Sequence, residues 1–284
     1  MATFKNQATL TYNGITTSSN IVTGEIVGVL TASKNALQAS YGAGDVLSYI
    51  ISLINSGDAA LTDVTVTDDL GKYSSGGASY VPLTYVTGSA VSFVDGVMKP
   101  VAAAVTADGL VFSSVTVPAN GNTLIFYEAE ANEYAPLAAD GSIMNSITAS
   151  SASLGSPAAA SKTVPARSEP TLSISKTLAP LSVNENGSLT YTFTIENTGS
   201  EAAGEAAQLV ITDEFDPVLT NLAVTLNSAP LTLGTDYTYS SATGVFSTTA
   251  GAVTVPAAEI SQGADGVWSV VPGTAVLTVS GNIL

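Results

Sequence analysis

Hydrophobic and polar positions along the chain follow the period of about two residues that is typical of β-strands, and no stretch shows the roughly 3.6-residue period of a helix. Residues 46–54 (VLSYIISLI) are rich in β-branched and aromatic side chains, which predicts a buried strand, and residues 55–58 (NSGD) predict the turn that follows it. Residues 64–67 (VTVT) predict a half-buried strand. Further strands are predicted at residues 83–86, 90–94, 110–112 and 124–131. The pattern therefore predicts an all-β fold.

The strand pattern occurs twice along the chain. Residues 172–176 (LSISK) repeat the end of the opening strand predicted at residues 27–34 (VGVLTASK). Residues 189–195 (LTYTFTI) repeat residues 46–54, and the Asn-x-Gly turn and the Thr-Asp strand end then recur in the same order. A repeat of this length indicates two structural units of the same kind rather than one large domain.

The repeat predicts two tandem β-domains of sandwich size. We expect the first at residues 27–165 and the second at residues 170–284, with a linker rich in Ala, Ser and Pro at residues 156–169. Residues 1–26 precede the first domain as an N-terminal extension.

The N-terminal extension repeats the segment that closes the first domain. Residues 6–10 (NQATL) parallel residues 145–149 (NSITA), and a run of small residues follows each of them before Lys34 and Lys176. The intervals from Asn to Lys are similar, 28 residues (34 − 6) and 31 residues (176 − 145). The second repeat shows no such segment after its last predicted strand. We therefore expect an N-terminal extension to supply the closing strand of the second repeat.

The series Lys, Tyr-x-(Ile/Phe), Asn-x-Gly and Thr-Asp, present in both repeats, resembles the bacterial surface conserved-repeat family (domain of unknown function eleven). The resemblance covers nearly the whole chain. It implies an immunoglobulin-like or prealbumin-like sandwich for each repeat and a structural role at a cell surface, and it implies no enzymatic activity. The chain has two copies and no visible sortase or membrane anchor, so assembly with other copies is an alternative to anchoring in the wall.

The composition narrows the possible functions. A formal net charge of −16 argues against nucleic-acid and anionic-membrane partners, because both bind cationic surfaces. The chain has no Cys and no His, which excludes thiolate and imidazole chemistry, disulfides and the usual zinc sites. No apolar run reaches the roughly 18 residues of a membrane span, and no signal peptide is visible. We expect an extracellular protein of the cell or spore surface that is not an enzyme.

The main hypothesis is a structural filament subunit that assembles head to tail with other copies of itself. A sandwich without its closing strand leaves backbone groups and core uncovered, and a donated strand repairs both. Apolar residues form the predicted donor face at Phe4, Ala8, Leu10, Tyr12 and Ile21, and the predicted acceptor face at Val276, Leu277, Val279 and Ile283. The extension could instead fold onto its own chain. The alternative function is a monomeric surface or adhesive module.

Carboxylates at two predicted strand ends offer oxygen ligands for calcium. They are Asp63, Asp68 and Asp69 in the first repeat and Asp213, Glu214 and Asp216 in the second. Capping and turn formation explain the same residues, and no stretch has the ligand spacing of a calcium loop. We therefore expect no cofactor, and no small-molecule ligand.

Lys34 and Lys176 lie at matching places on the two opening strands and are candidates for a covalent crosslink. Surface sandwiches of bacteria sometimes join such a lysine to Asn or Asp beside an acidic residue, and Asn145 and Asn6 are conceivable partners. A solvated lysine at a domain edge is the simpler interpretation.

Two further groups of residues are candidates for ligand or substrate contacts. Glu128 and Glu130 lie two apart in a predicted strand and therefore share a face, as a catalytic carboxylate pair would, but alternation on a solvated face explains them as well. Aromatic residues that could line a glycan surface, or pack within a sandwich, are Tyr80, Tyr85, Tyr237 and Tyr239.

Overall fold

The computed structural model describes residues 2–26, 28–107 and 109–283, and these ranges are built of β-strands. The one helical element among them is a short 3₁₀ turn, Glu205–Ala207. The described part of the chain therefore contains no helix that is long and apolar enough to cross a membrane. The predicted fold class, all-β with tandem immunoglobulin-like sandwiches, is confirmed.

The chain divides into two compact units. Unit 1 comprises Met1–Pro136 and Ser142–Pro165, and unit 2 comprises Leu137–Gly141 and Ala166–Leu284. Each unit has two main sheets and at least one further two-stranded sheet of its own.

Four strands at the N-terminus form one long hairpin. They are β1 (Ala2–Asn6), β2 (Thr9–Tyr12), β3 (Ile15–Ser18) and β4 (Val22–Ile26). β1 pairs with β4 and β2 pairs with β3, both antiparallel. The hairpin turns at Asn13 and Gly14, whose φ angles of 48° and 77° suit the two central positions of a type I′ turn. The side chains of residues 3–23 are exposed on both faces.

Unit 1 contains two sheets in addition to this hairpin. Its strands are β5 (Leu30–Ala36), β6 (Val46–Asn55), β7 (Leu61–Asp68), β8 (Tyr73–Ser75), β9 (Ala78–Tyr80), β10 (Leu83–Tyr85), β11 (Val91–Val94), β12 (Val97–Lys99), β13 (Ala102–Thr106), β14 (Gly109–Val117), β15 (Asn122–Ala131), β16 (Ser142–Ser150) and β17 (Ala158–Pro165). One sheet has the order β12-β11-β15-β6-β5, with β10 also paired with β15. The other has the order β13-β14-β7-β16-β17, and β8 pairs with β9.

Alternate side chains of these strands form the core of unit 1. β6 and β15 lie side by side and bury every second residue, which is the pattern that the sequence predicts for residues 46–54. The largest fully buried side chains of the two sheets are Leu47, Tyr49, Ile51, Leu53, Leu83, Leu110, Phe112, Ile125 and Tyr127. The period of two therefore fixes which face of each strand is buried.

Unit 2 repeats part of this architecture. Its strands are β18 (Leu172–Ala179), β19 (Ser188–Asn197), β20 (Thr212–Glu214), β21 (Leu219–Leu226), β22 (Ala229–Pro230), β23 (Tyr237–Tyr239), β24 (Val245–Thr248), β25 (Glu259–Gln262), β26 (Trp268–Val271) and β27 (Gly273–Ile283). One sheet has the order β18-β19-β27-β21-β22 and the other the order β20-β24-β23, while β25 pairs with β26.

The two units share strand order and register. β18, β19 and β27 correspond to β5, β6 and β15, and β20, β24 and β23 correspond to β7, β14 and β13. Lys34 lies opposite Ile51, and Lys176 lies opposite the equivalent Phe193. Counterparts of β16 and β17 are missing from the described residues of unit 2.

The repeated Asn-x-Gly turn is held by its asparagine. Asn55 Nδ2 donates to the carbonyl oxygens of Ala59 and Pro118, at 2.8 and 3.0 Å, and Asn55 Oδ1 accepts from the amide of Gly57 at 2.9 Å. Asn197 makes the equivalent bonds in unit 2, and both side chains are buried. The motif is thus a structural device that ties a turn to a neighbouring loop.

Two sequence predictions are corrected by the strand bounds. The prediction of a linker at residues 156–169 is wrong for Ala158–Pro165, which forms β17, because its alternate small side chains fit against β16 and β5. The opening strand begins at Leu30 rather than at residue 27, which lies outside the described residues.

Candidate functional site: a buried lysine cluster and its open counterpart

Three polar side chains from three strands meet in the interior of unit 1. Lys34 comes from β5, Asp68 from the end of β7 and Asn145 from β16. β5 belongs to one sheet and β7 and β16 to the other, so the residues meet across the two sheets. The side chains of Lys34 and Asp68 are both 0% exposed, and Asn145 is buried as well.

A tyrosine hydroxyl connects the three groups. The Tyr127 hydroxyl donates to Asp68 Oδ2 and accepts from Lys34 Nζ and from Asn145 Nδ2, each at 2.9 Å. Lys34 Nζ also donates directly to Asp68 Oδ2. The lysine amine and the asparagine amide therefore lie within two hydrogen bonds of each other. We call Lys34, Asp68, Tyr127 and Asn145 the unit 1 cluster.

Burial favours the neutral form of the lysine amine in this cluster. Removal from water lowers the pKa of Lys34, and the negative charge of Asp68 opposes that effect. Burial raises the pKa of Tyr127, and the charge of Asp68 adds to the effect, so the hydroxyl keeps its proton. The hydrogen bond between Lys34 and Asp68 provides a direct path for a proton from nitrogen to oxygen.

The carbonyl oxygen of Asn145 has no hydrogen bond within the described residues, although it is fully buried. Leaving a buried acceptor unpaired costs about 1–3 kcal/mol, so such atoms are uncommon. The carboxamide is thus held by its nitrogen alone, and its carbonyl group is available to a donor.

These groups match the requirements of an acyl transfer from nitrogen to nitrogen. Lys34 supplies a nucleophilic amine, Asn145 a carboxamide carbon, and Asp68 a carboxyl group that contacts the amine and can relay protons. Each of the three is fixed by a strand rather than by a loop, which holds the reacting groups in place.

Unit 2 carries half of the same arrangement. Lys176 Nζ donates to Asp213 Oδ2 and lies 4.4 Å from the centre of the Tyr191 ring. This pair is open to solvent, with 40% of the Lys176 side chain and 17% of the Asp213 side chain exposed. No residue of unit 2 takes the place of Asn145 in the described part of the chain, because a counterpart of β16 is missing there.

The strand that carries Asp213 has a free edge. β20 pairs with β24 on one side, and no strand of the described residues lies on its other side. In unit 1 the amide of Asp69 donates to the carbonyl oxygen of Ser146 on β16, at 3.0 Å. In unit 2 the equivalent amide, that of Glu214, donates to Asp213 Oδ1 at 2.9 Å. This backbone amide is thus paired with a neighbouring strand in unit 1, and with the preceding side chain in unit 2.

The inner face of β18 is also uncovered. In unit 1 β17 packs against β5, and Leu30 of β5 is buried. The equivalent Leu172 is 38% exposed, and the next inward residue, Ile174, is 57% exposed. An apolar groove of about 190 Å³ runs here between the sheets and is lined by Leu172, Ile174, Ile195, Leu209, Ile211 and Val253. We call it the unit 2 groove.

The N-terminal hairpin has the residue pattern of the strand that unit 2 lacks. When Asn6 is aligned with Asn145, residues 3–11 align without a gap with residues 142–150 of β16. The buried positions Ile143, Asn145, Ile147 and Ala149 of β16 then correspond to Phe4, Asn6, Ala8 and Leu10. The hairpin leaves these residues exposed, Leu10 to 66%.

The predicted donor residues all lie on this hairpin or beside it. Phe4, Ala8 and Leu10 occupy the register of the buried face of β16. Tyr12 lies next to the hairpin turn, and Ile21 comes just before β4; both are exposed. That these side chains enter another copy stays a prediction.

The predicted acceptor residues Val276, Leu277, Val279 and Ile283 all lie on β27. β27 is the central strand of its sheet, with β19 on one edge and β21 on the other, so it offers no free edge to a new strand. Leu277 and Val279 are buried in the core of unit 2. The free edge belongs to β20, whose Asp213 and Glu214 the sequence indicated only as candidate calcium ligands.

The carboxylates considered for calcium are engaged in protein contacts. Asp68 and Asp213 pair with lysines, and Asp69 Oδ1 accepts from two backbone amides. Asp63, Glu214 and Asp216 join no group of three or more possible metal ligands within the described residues.

The remaining candidates show no shared site. Glu128 and Glu130 are exposed side by side on β15. Tyr85 and Tyr237 are buried, which leaves them unable to present a flat surface to a glycan. Tyr80 and Tyr239 make aromatic contacts inside their own units.

Sequence reasoning missed Tyr127 and the pairing of each lysine with an aspartate. A signal for the pairing exists, because Asp68 follows Lys34 by 34 residues and Asp213 follows Lys176 by 37 residues. Tyr127 has no equivalent tyrosine in unit 2, so the repeat gives no signal for it.

Comparison with known proteins gives structural similarity alone. No family model and no curated protein matches the sequence. Among solved structures, the chain is similar to a D312A variant of BcpA, the major pilin subunit of Bacillus cereus, with a TM-score of 0.36, 9% identity, and coverage of 94% of this chain and 70% of that one. It is also similar to RrgB, the pilus backbone from Streptococcus pneumoniae, with a TM-score of 0.34, 15% identity, and coverage of 87% and 50%.

Proposed function

We propose that the chain is the structural subunit of an extracellular filament, in which the N-terminal hairpin of one copy completes unit 2 of the next. The observation that supports this most directly is the match between the hairpin and the β16–β17 hairpin that closes unit 1, set beside the free edge of β20. The resemblance to the surface conserved-repeat family, itself still a prediction, agrees with a structural role outside the cell.

The register of the donated strand follows from unit 1. Ile147 of β16 lies opposite Asp68 of β7. Because Ala8 corresponds to Ile147 and Asp213 to Asp68, Ala8 of one copy lies opposite Asp213 of the next. Leu10 then points toward the core beside Ile211, where the unit 2 groove is open.

The second strand of the hairpin covers the face of β18. In unit 1 β17 packs against β5, and the counterpart of β17 in the hairpin is the β3–β4 arm. This arm therefore shields Leu172 and Ile174, both exposed in the free subunit. Donation removes apolar surface from water on both partners, and burial of such surface is the main driving force of association.

The proposed contact joins two different surfaces, a hairpin on one copy and an open sandwich on the next. Such heterologous contacts propagate into a filament unless their rotation closes a ring. Each subunit has a formal charge of −16, so neighbouring subunits repel one another and salt strengthens assembly by screening.

Negative-stain electron microscopy of the full chain, beside a variant that lacks residues 1–26, tests the proposal. We expect filaments from the first and monomers from the second. A second variant, Ile174→Asp, places a charge in the unit 2 groove and removes acceptor function, whereas Ser175→Asp on the opposite face of β18 is its matched control.

Mixing the two defective subunits tests the direction of donation. The variant without residues 1–26 keeps the acceptor, and Ile174→Asp keeps the donor, so together they should form a dimer of one copy each and stop there. Analytical ultracentrifugation measures this. Monomers from the full chain under all salt conditions would contradict the proposal and favour a monomeric surface module.

A further inference from the structure

We propose that the chain forms two lysine–asparagine amide bonds, one between Lys34 and Asn145 inside unit 1 and one between Lys176 of one copy and Asn6 of the next. The second bond rests on the proposed filament, since it needs the donated hairpin. The first depends on unit 1 alone.

The unit 1 cluster brings the reacting groups together before any reaction. The Lys34 amine and the Asn145 carboxamide share the Tyr127 hydroxyl, and the Asp68 carboxylate contacts the amine directly. All are buried, which excludes competing water. Fixing two reactants in this way supplies a large part of the rate of an intramolecular reaction.

The reaction balances without any added reagent. Lys34 passes one proton from its ammonium group to Asp68, and the neutral Nζ attacks Cγ of Asn145 while the protonated carboxyl donates to the carbonyl oxygen. The bond from Cγ to Nδ2 then breaks as the new bond from Cγ to Nζ is completed. The second nitrogen-bound proton of the lysine and the proton held by Asp68 leave with the departing nitrogen as ammonium, and Asp68 returns to its carboxylate form.

Unit 2 reproduces two of the three reacting groups. Lys176 and Asp213 have the same register and the same contact as Lys34 and Asp68. The missing carboxamide is Asn6, which the alignment of the hairpin with β16 puts at the place of Asn145. The exposed Lys176–Asp213 pair therefore lacks only the carboxamide, which the hairpin of another copy supplies.

Donation also supplies the burial that the chemistry requires. In the free subunit 40% of the Lys176 side chain is exposed, so water reaches the amine. The arriving hairpin covers β18 and β20 and excludes that water. The amide bond therefore forms after assembly rather than before it, so subunits join reversibly first and covalently second.

One difference between the sites affects rate. Val279 lies opposite Tyr191 in unit 2, whereas Tyr127 lies opposite Tyr49 in unit 1. The intersubunit site has no hydroxyl at this place, so Asp213 accepts and returns the proton without a neighbouring tyrosine. We expect the intersubunit bond to form more slowly than the bond inside unit 1.

Intact mass measurement of the denatured full chain tests the first bond. Each bond releases ammonia, so unit 1 should lower the mass by about 17 Da, and protease fragments should join Lys34 to Asn145. Asp68→Asn removes the proton relay with little change of shape and should restore the full mass. Lys99→Met, a change at an exposed lysine, should keep the loss. A full-mass wild-type chain would overturn this bond.

Denaturing gels of assembled filaments test the second bond. The wild type should give a ladder of covalent multimers. Lys176→Met and Asn6→Ala should still form filaments under the microscope but run as monomers on the gel, while Lys99→Met, at an exposed lysine of unit 1, should keep the ladder. Fragment mapping should then identify a Lys176–Asn6 link.

The outcomes separate this inference from the filament proposal. Wild-type filaments that dissolve into monomers would overturn the intersubunit bond and leave strand donation intact. Absence of filaments would overturn both strand donation and the intersubunit bond, while the monomer mass still decides the bond in unit 1. A monomer that has lost about 34 Da, twice the ammonia of one bond, would show that the hairpin closes its own unit 2, which also overturns the intersubunit bond.

Discussion

Lys34 in unit 1 and Lys176 in unit 2 occupy equivalent positions beside equivalent aspartates, yet the first is fully buried and 40% of the second is exposed. The strands that carry them and the strands next to them correspond one to one. The difference comes from the β16–β17 hairpin, which covers the lysine in unit 1 and has no counterpart in the described residues of unit 2. The presence or absence of this hairpin thus determines whether the lysine–aspartate pair is buried or open to solvent.

The comparison identifies what a donated hairpin must supply. Unit 1 shows an apolar face on the strand next to β7, a backbone carbonyl for the amide of Asp69, and a carboxamide beside the lysine. The N-terminal hairpin offers all three at Phe4–Leu10 when it is read in the register of β16. Unit 1 is therefore a template for the assembled state of unit 2.

The change expected to abolish the most function is a charge on the donor face, because it acts on assembly itself. Leu10→Asp places a charge at the position of the fully buried Ala149, and burial of an unpaired carboxylate is costly. We expect the protein concentration needed for filaments to rise by roughly 100-fold or more, which corresponds to about 2.7 kcal/mol. Pelleting of filaments over a concentration series measures it.

The matched control for Leu10→Asp is Thr9→Asp. Thr9 corresponds to the exposed Thr148, so its side chain faces solvent before and after donation, and assembly should change little. Both variants should keep the wild-type circular dichroism spectrum as free subunits. Equal loss of assembly by the two changes would show that the register is wrong.

The loss of folding stability should differ strongly between the variants Asp68→Ala and Asp213→Ala. Asp68→Ala leaves the buried Lys34 amine without its partner and prevents the proposed bond to Asn145. Breaking a buried pair costs about 3–5 kcal/mol, so unit 1 should lose stability of that order. An exposed pair contributes about 0–1 kcal/mol, so Asp213→Ala should barely affect unit 2 of the free subunit.

Hydrogen exchange followed by mass spectrometry separates these two effects. Peptides from β6 and β15 report on unit 1, and peptides from β19 and β27 report on unit 2. The variant lacking residues 1–26 serves as the background, because it cannot complete unit 2 of another copy. Similar losses of protection in both units would contradict the difference in burial.

Alkaline pH should weaken unit 1 more than unit 2. Burial raises the pKa of Tyr41, Tyr49 and Tyr127 above the ordinary value of 10.0. Above about pH 10 the unfolded chain releases these protons and folded unit 1 retains them, so stability falls by about 1.4 kcal/mol per pH unit for each proton. In a chain without the bond to Asn145 the lowered pKa of Lys34 acts in the opposite direction, because there the unfolded chain binds more protons, but it is one group against three.

Unfolding by urea between pH 8 and pH 11 measures this difference. Trp268 is the only tryptophan of the chain and lies in unit 2, where burial raises the pKa of Tyr237. Its fluorescence follows unit 2, while circular dichroism follows both units. A fluorescence midpoint that falls as steeply with pH as the dichroism midpoint would contradict the expectation.

The smallest difference between the units is expected at the Asn-x-Gly turns. Asn55→Ala and Asn197→Ala each leave buried backbone groups of an Asn-x-Gly turn unpaired, which costs about 1–3 kcal/mol. The loss should be similar in the two units, because the hydrogen bonds are equivalent and lie away from the closing hairpin. Asn20→Ala, on an exposed segment, is the control, and urea midpoints give the comparison.

The sequence predicts the strands best where burial alternates without interruption. Residues 46–54 and 189–195 are such cases, because each carries apolar residues at every second position. β17 escaped prediction because its Ala, Ser and Pro composition is also that of a linker, and its burial depends on β5, which is distant in sequence.

The site is harder to predict than the strands because it depends on register between strands. The recurrence of lysine and of asparagine is visible in the sequence, and so is the parallel between residues 6–10 and 145–149. That Asp68 contacts Lys34, and that Tyr127 joins them to Asn145, follows from how three strands are aligned in two sheets. The free edge of β20 likewise becomes visible only when the partners of β7 and β20 are compared.

The positions of Lys34 and Asn145 have a mechanical consequence. In a filament that carries both amide bonds, tension enters a subunit at Asn6, follows the chain to Lys34, crosses to Asn145, and leaves through Lys176. Residues 35–144 form a closed loop beside this covalent path, so a pull along the fibre does not load β6, β7, β14 or β15 in series. The fibre resists extension through two short tethers while most of each sandwich remains free of load.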